Sequence, residues 1–329
     1  MEIGKIPNDI LKEIVLNKIK YKRKEVLVRP SIGEDCSVVD FGDEVCVLSS
    51  DPITGAANEV GRLAVHVSCN DVASCGIEPL GLMVTILAPP DTSKEDLSII
   101  MSQLSETAAS LKVDIMGGHT EITDAVNRVV IMSTAIGKAP KGKVVTTAGA
   151  KAGDKIVMTK TAGLEGTAII AFEREKELLN VLGREIVDNA KKFMDSISVV
   201  KEGVIAGAFG VSAMHDVTEG GILGAAWELA EASGKGFRIE KNLIPIKEET
   251  LKITAFYKID PMKLISSGCM VIACLNGDEL VEELRKQGIQ ASVIGEITEE
   301  KDKLLFTENE RVYIGQPASD ELYKVIGKD

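Results

Sequence analysis

Three aspartates of this chain stand where an acidic side chain is conspicuous. Asp71 follows Asn70 inside Gly61-Arg-Leu-Ala-Val-His-Val-Ser-Cys-Asn-Asp-Val-Ala-Ser-Cys-Gly-Ile-Glu-Pro79, where Leu63, Val67, Cys69, Val72 and Ala73 recur near helical spacing. A carboxylate inside an apolar helix is costly unless something pairs with it, and a bound metal is a natural partner. Asp35 lies in Ser31-Ile-Gly-Glu-Asp-Cys-Ser-Val-Val39, and Asp51 follows the apolar run Val45 to Leu48. Each taken singly is more often a turn residue, a helix cap or a paired surface charge; Asp35 fits an Asx-turn after Gly33. Their order and shared context favour a Mg²⁺-nucleotide site, since magnesium takes carboxylates plus phosphate oxygens and keeps several waters.

Glycine-bearing segments supply candidate anion contacts. Gly117-Gly-His-Thr-Glu121 follows a short predicted strand, and paired glycines let amides approach a phosphate. His119 and Glu121 would then reach metal or phosphate, although a plain strand-ending turn fits the same residues. His215-Asp-Val-Thr-Glu-Gly-Gly221 is stronger: a strand delivers His215 and Asp216, and Thr218-Glu-Gly-Gly opens a helix whose first amides suit phosphate, with Thr218 as an ordinary N-cap. Thr161-Ala-Gly-Leu-Glu-Gly-Thr167 also joins a strand to a helix, but lacks both the Rossmann spacing and the P-loop lysine. Ser266-Ser-Gly268 precedes a strand and reads as a turn near the site or as a simple loop.

These residues need elements to hold them. The pattern predicts a helix over Pro7 to Lys20 with Ile10, Leu11, Ile14 and Ile19 on its apolar side. A hairpin follows, from Ser37 to Phe41 and from Val45 to Leu48, with a loop from Asp51 to Ala57. Then come the Asn70-Asp71 helix, a strand at Leu80 to Leu87, and a helix from Ser93 to Leu111 capped by Thr92 or Ser93. Strands are predicted at Asp114 to Met116 and Arg128 to Ile136. Gly137 to Gly153, rich in Lys, Gly, Ala and Pro, is the best boundary, giving domains 1–145 and 146–329. The second half reads as a strand at Lys155 to Thr159, helices at 163–173 and 185–207, a strand ending at His215, and a helix at 219–233. Strands at Phe237, Gly268 to Leu275 and Ala291 to Gly295, with a helix from Asp278 to Gln287, complete it. Strand–helix alternation in both halves points to an α+β chain of two α/β-type layers.

Composition narrows the function. The chain has 329 residues, enough for two domains. Aromatic residues are 4% against 45% hydrophobic, so Val, Ile, Leu, Ala and Met must fill the cores. A net charge of −12 argues against a nucleic-acid or anionic-membrane surface, but not against a small nucleotide met by a local cation. No signal-peptide pattern and no bilayer-length apolar run are visible, so a soluble cytoplasmic protein is expected. The six cysteines form no CxxC pair, and the three histidines have no metal-ligand spacing, so neither zinc nor disulfides are expected.

Taken together, Gly33-Glu-Asp35, Asp51, Asn70-Asp-Val-Ala-Ser-Cys-Gly76, Gly117-Gly-His-Thr-Glu121 and His215-Asp-Val-Thr-Glu-Gly-Gly221 resemble the aminoimidazole-ribonucleotide synthase superfamily. Within it the chain looks most like the hydrogenase expression/formation branch. The resemblance implies an N-terminal ATP- and Mg²⁺-binding domain whose sheet pairs across a homodimer into a β-barrel, and a C-terminal α/β sandwich. It implies Asp35, Asp51 and Asp71 as metal ligands, with Asn70, Gly117, Gly118, His119, Thr120, Glu121 and Asp216 at the nucleotide. It also implies ATP-dependent activation of an amide or acyl oxygen, or phosphoryl transfer, on a small-molecule or protein-borne acceptor, with a maturation partner protein. In that branch a carbamoylated C-terminal cysteine becomes a thiocyanate. This sequence ends Glu321-Leu-Tyr-Lys-Val-Ile-Gly-Lys-Asp329, without that cysteine. His119 also stands where many relatives are acidic, with Glu121 as its stand-in. Thiamine-monophosphate kinase and phosphoribosylformylglycinamidine cyclo-ligase are the rival reactions. A nucleotide-binding maturation partner without turnover is the rival of another class.

Overall fold

A computed structural model describes residues 4–54 and 59–326. In the first half, strands β1 (Val26–Val28), β2 (Ser37–Asp40), β3 (Glu44–Ile53), β4 (Pro79–Ala88), β5 (Asp114–Ile122) and β6 (Val130–Pro140) form one mixed sheet. Its order is β1-β2-β3-β6-β4-β5, with β4 and β5 parallel and the other pairs antiparallel. Helices α1 (Asn8–Ile14), α2 (Val60–Ser74) and α3 (Lys94–Leu111) accompany it. The α3 start follows its sequence: Ser93 caps the Asp96 amide and Asp96 returns the bond.

Alternation along β3 positions chemistry. Val45 and Val47 face the core beneath α2, and the same face continues to Ser49 and then Asp51. Asp51 therefore belongs to a strand that pairs with β6 as far as Ile53, and the predicted loop from Asp51 begins later. The rest of that loop, at 55–58, lies outside the described residues. The predicted N-terminal helix is also shorter: α1 ends at Ile14 and only a 3-10 turn at Leu16–Lys18 follows.

The Gly117–Glu121 segment is not a turn. It lies inside β5, at the sheet edge, with His119 and Glu121 exposed. A Cβ on Gly118 would come within 1.8 Å of Val84 O, so the pair's close approach, and not an anion, accounts for that glycine.

The second half adds strands β7 (Lys155–Thr159), β8 (Ala213–Asp216), β9 (Gly236–Glu240), β10 (Met270–Cys274), β11 (Ala291–Thr298), β12 (Lys303–Phe306) and β13 (Arg311–Tyr313). They are ordered β13-β12-β9-β11-β7-β10-β8, with only β9 and β12 parallel. Helices α4 (Leu164–Glu173), α5 (Glu175–Leu182), α6 (Arg184–Lys191), α7 (Val200–Phe209), α8 (Gly221–Ala232), α9 (Glu248–Tyr257), α10 (Gly277–Lys286) and α11 (Tyr323–Ile326) complete the chain. The expected architecture of two α/β units with mixed sheets is present. No closed barrel forms among the described residues. The predicted boundary starts inside a strand, since β6 runs to Pro140 and β7 opens at Lys155.

The two halves interlock where α2 meets α7. A Cβ on Gly203 would sit 2.1 Å from Ala73 O, and one on Gly207 would sit 2.6 Å from Gly76 Cα. The helix predicted over 185–207 is broken between α6 and α7, and the break has a tertiary cause. The Asn70 amide donates to Ile197 O at 2.9 Å and accepts from Val199 N at 2.8 Å, holding that backbone out of helical pairing. Among the described residues, no helix is long and apolar enough to cross a membrane.

Candidate active site

A cleft of about 1490 Å³ opens between the two halves. The first half lines it with Asp35, Asp51 and Asp71; the second contributes Glu165, Asp216 and Ser267. So the four aspartates picked out in the sequence converge. Asp71 is 5% exposed on α2, and its Oδ2 lies 2.6 Å from Ser49 Oγ. Asp51 Oδ2 lies 3.2 Å from the same hydroxyl, which has one proton to give. Ser74 Oγ is 2.9 Å from Asp35 Oδ2 and 2.7 Å from Asp71 O. Asp216, at the end of β8, is 1% exposed and its Oδ2 has no hydrogen-bond partner.

Crowded carboxylates resist ionisation. Burial, followed by the charges of Asp216, Asp51 and Asp35, pushes the Asp71 pKa well above the usual carboxylate range. Burial likewise pushes Asp216 up to about 6, although His215 opposes it. Glu165, in the first turn of α4, is pushed by burial up to about 7 while accepting from Ser267 N at 3.3 Å. Removing water from several carboxylates at once is unfavourable without a cation. This hard oxygen donor set, with one buried oxygen left unpaired, fits Mg²⁺.

Behind the aspartates lies His215. Its Nδ1 is 3.1 Å from Asp35 Oδ2 and 3.6 Å from Asp216 Oδ1; its Nε2 is 3.1 Å from Glu228 Oε2. Lys5 Nζ meets Glu228 Oε1 at 3.2 Å. Burial alone would lower the His215 pKa, but Asp35, Asp216 and Glu228 hold it well above its ordinary value. Burial would raise that of Glu228, but His215 and Lys5 hold it down at about 2.

Other expected contacts are not assembled here. Gly117, Gly118, His119, Thr120 and Glu121 do not line the cleft; the following segment, Asp124 to Arg128, does. His119 Nε2 instead faces Glu121 Oε2 at 3.3 Å on the exposed edge strand. Asn70 is fully buried and turned to the second half. Thr218 is not the cap of α8: Gly220 holds that position, and its amide donates to Asp320 Oδ2 at 2.7 Å. A carboxylate from the far end of the chain thus takes an amide expected to meet phosphate.

Sequence reasoning passed over Ser49, Glu165, Glu228 and Lys5. Ser49 carried a signal, two residues before Asp51 on the same strand face. Glu228 carried the same signal as Asp71, a carboxylate inside an apolar helix.

Residues 33–139 match AIR synthase related protein, N-terminal domain, and residues 151–306 match AIR synthase related protein, C-terminal domain. The chain belongs to the AIR synthase related family. The resemblance to the hydrogenase expression/formation branch is borne out by its relatives. The chain is 29% identical to the putative hydrogenase expression/formation protein MJ0676 of Methanocaldococcus jannaschii, over 98% of this chain and 97% of that one. It is 27% identical to carbamoyl dehydratase HypE of Rhizobium leguminosarum bv. viciae, over 80% of this chain and 77% of the relative. The fold matches E. coli HypE with a TM-score of 0.73 at 22% identity, covering 85% of this chain and 88% of that one. It also matches AaThiL complexed with AMPPCP and TMP, with a TM-score of 0.72 at 17% identity, covering 92% and 93%.

Proposed function

We propose that this AIR synthase related protein is a Mg²⁺- and ATP-dependent enzyme of the hydrogenase-maturation type. It would activate an amide or acyl oxygen, or transfer phosphate, in the interdomain cleft. One observation carries the reading: Asp35, Asp51, Asp71 and Asp216, from two domains, crowd one cleft wide enough for a nucleotide, and burial among these charges raises the pKa of Asp71 and Asp216. Asp51 and Asp71, bridged by Ser49, would hold the magnesium, with Asp35 and Asp216 beside them. When bound, the metal neutralises charge on the phosphates, and positioning supplies most of the rest. Ser49 orients two of the carboxylates, and the Asn70 clamp keeps the two halves of the site in register. Carbamoyl dehydratase relatives, and the likeness to a HypE structure in complex with ATP, favour this reading.

A homodimer through the first sheet belongs to the proposal. The outer face of that sheet leaves Met83, Met132 and, on its edge strand, Met116 exposed. An uncovered sheet face with an unpaired edge invites a second copy. A maturation partner protein is proposed as well, by likeness to the chain in a HypE–HypF complex.

The test is calorimetric titration of ATP with Mg²⁺ and with EDTA, followed by turnover assays. Acceptors would be a thiocarbamate-bearing peptide, thiamine monophosphate and formylglycinamidine ribonucleotide. Mg²⁺-dependent binding with turnover on one acceptor supports an enzyme and names its reaction. Binding without turnover on any acceptor supports the non-catalytic maturation partner. Equal affinity in EDTA contradicts the magnesium assignment.

A further inference from the structure

We propose that His215, Asp35 and Asp216 form a second cation site, at the inner end of the cleft, that takes a divalent transition-metal ion in preference to magnesium. Each of the three offers one ligand atom within 4.8 Å of the others. His215 and Asp216 are almost wholly buried, and Asp35 looks out from the cleft wall. The inference shares two aspartates with the proposed nucleotide site, but it requires no nucleotide.

The arrangement around the imidazole carries the argument. Glu228 can only accept hydrogen bonds, because its other oxygen already meets the Lys5 ammonium at 3.2 Å and the Asn8 amide at 3.5 Å. Nε2, 3.1 Å from Glu228 Oε2, is therefore the N–H side of the ring. Nδ1 faces Asp35 and Asp216, two more acceptors, and makes no hydrogen bond. A ring lone pair against two carboxylates is repulsive, so something positive must sit among them. That is either a proton shared between Nδ1 and a facing carboxylate or a metal ion.

The spacing at Nδ1 admits either, and the orphaned Asp216 oxygen favours the ion. Nδ1 lies 3.1 and 3.6 Å from the two carboxylate oxygens. Ligand atoms about 2.0–2.2 Å from a cation stand about 2.8–3.6 Å from one another in octahedral or tetrahedral arrangements. In addition, the second Asp216 oxygen is buried and unpartnered, which one Nδ1 proton would not relieve. The outer contacts are also those of a metal-bound histidine, whose other nitrogen donates to a carboxylate that is itself held in place. Here Glu228 is that carboxylate, fixed by Lys5 and Asn8. A nitrogen ligand selects the ion class, since imidazole suits zinc, iron, cobalt and nickel, whereas magnesium prefers oxygen.

The full chain, stripped with a chelator, is dialysed into millimolar Mg²⁺ without nucleotide and titrated with Co²⁺, Mn²⁺ and Zn²⁺. One equivalent of Co²⁺ or Zn²⁺ should bind despite the magnesium. Glu228→Gln should weaken binding about 10- to 100-fold, and His215→Ala should abolish stoichiometric uptake and alter the visible Co²⁺ bands. If His215→Ala does not fold, ring NMR of the wild type decides. The chain has only three histidines; Co²⁺ should shift or broaden the His215 ring and leave exposed His119 sharp. Absence of stoichiometric uptake, or uptake unchanged in His215→Ala, overturns the site and makes His215 a protonated bridge. Loss of ATP binding with metal uptake intact would count against the proposed function alone.

Discussion

Asn70 and Asp71 are neighbours on α2 with opposite assignments. The Asn70 amide clamps Ile197 O and Val199 N of the second half, at 2.9 and 2.8 Å, while the Asp71 carboxylate points to Ser49 at 2.6 Å in the cleft. One helical step thus separates the residue that joins the halves from the residue that serves the site between them.

Asn70→Ala removes the clamp and strands a buried donor and acceptor. Each such loss costs about 1–3 kcal/mol, and each kcal/mol lowers the melting temperature of a domain this size by roughly 2–4 °C. A thermal melt should show a fall of several degrees. At a temperature where the variant stays folded, Mg²⁺-ATP affinity should fall far less than in an Asp71 variant. A variant as stable as wild type would show that the clamp contributes nothing.

Stability should depend on pH in a way that magnesium cancels. Asp216 titrates at about 6 in the folded chain against an ordinary 3.8, and Glu165 at about 7 against 4.5. Raised carboxylate pKa values mean that the folded state binds more protons than the unfolded one between each pair of values. These groups therefore cost the fold most above pH 7, and the cost shrinks as pH falls from about 7 toward 4. A divalent cation removes the same cost at high pH. Melts with and without Mg²⁺ should show a larger gain at pH 8 than at pH 5. An equal gain at both would mean that magnesium binds away from these carboxylates.

Met83→Lys places a charge on the outer face of the first sheet, where Met83 is 43% exposed. If that face is the dimer contact, wild type should scatter light as a dimer at micromolar concentration and the variant as a monomer with an unchanged melt. A monomeric wild type would refute the assembly.

Much of the site was legible because a carboxylate in an apolar pattern is a strong signal. That signal found Asp71, and position after apolar runs found Asp51. A different signal, paired glycines, misled at Gly117–Glu121, where adjacent glycines have two causes. A phosphate cradle and a close strand pair look alike in sequence, and only the Gly118–Val84 approach separates them. The break between α6 and α7 was illegible for a different reason, because the residue that enforces it, Asn70, is remote in the chain. The Asp320 cap on Gly220 was hidden the same way. His215 had no metal-ligand spacing because its partners come from Asp35, far upstream, and from Asp216, its own neighbour.

The central claim is that Asp71 is a magnesium ligand for a nucleotide and not half of a structural ion pair. Asp71→Asn keeps the shape and removes the charge. Calorimetric titration of Mg²⁺-ATP into this variant and into wild type, with melts on the same preparations, tests the claim most directly. The account predicts that Mg²⁺-dependent ATP binding is lost and that the variant melts at or above the wild-type temperature, since a crowded buried charge is gone. A variant that melts several degrees lower yet binds Mg²⁺-ATP normally would contradict it.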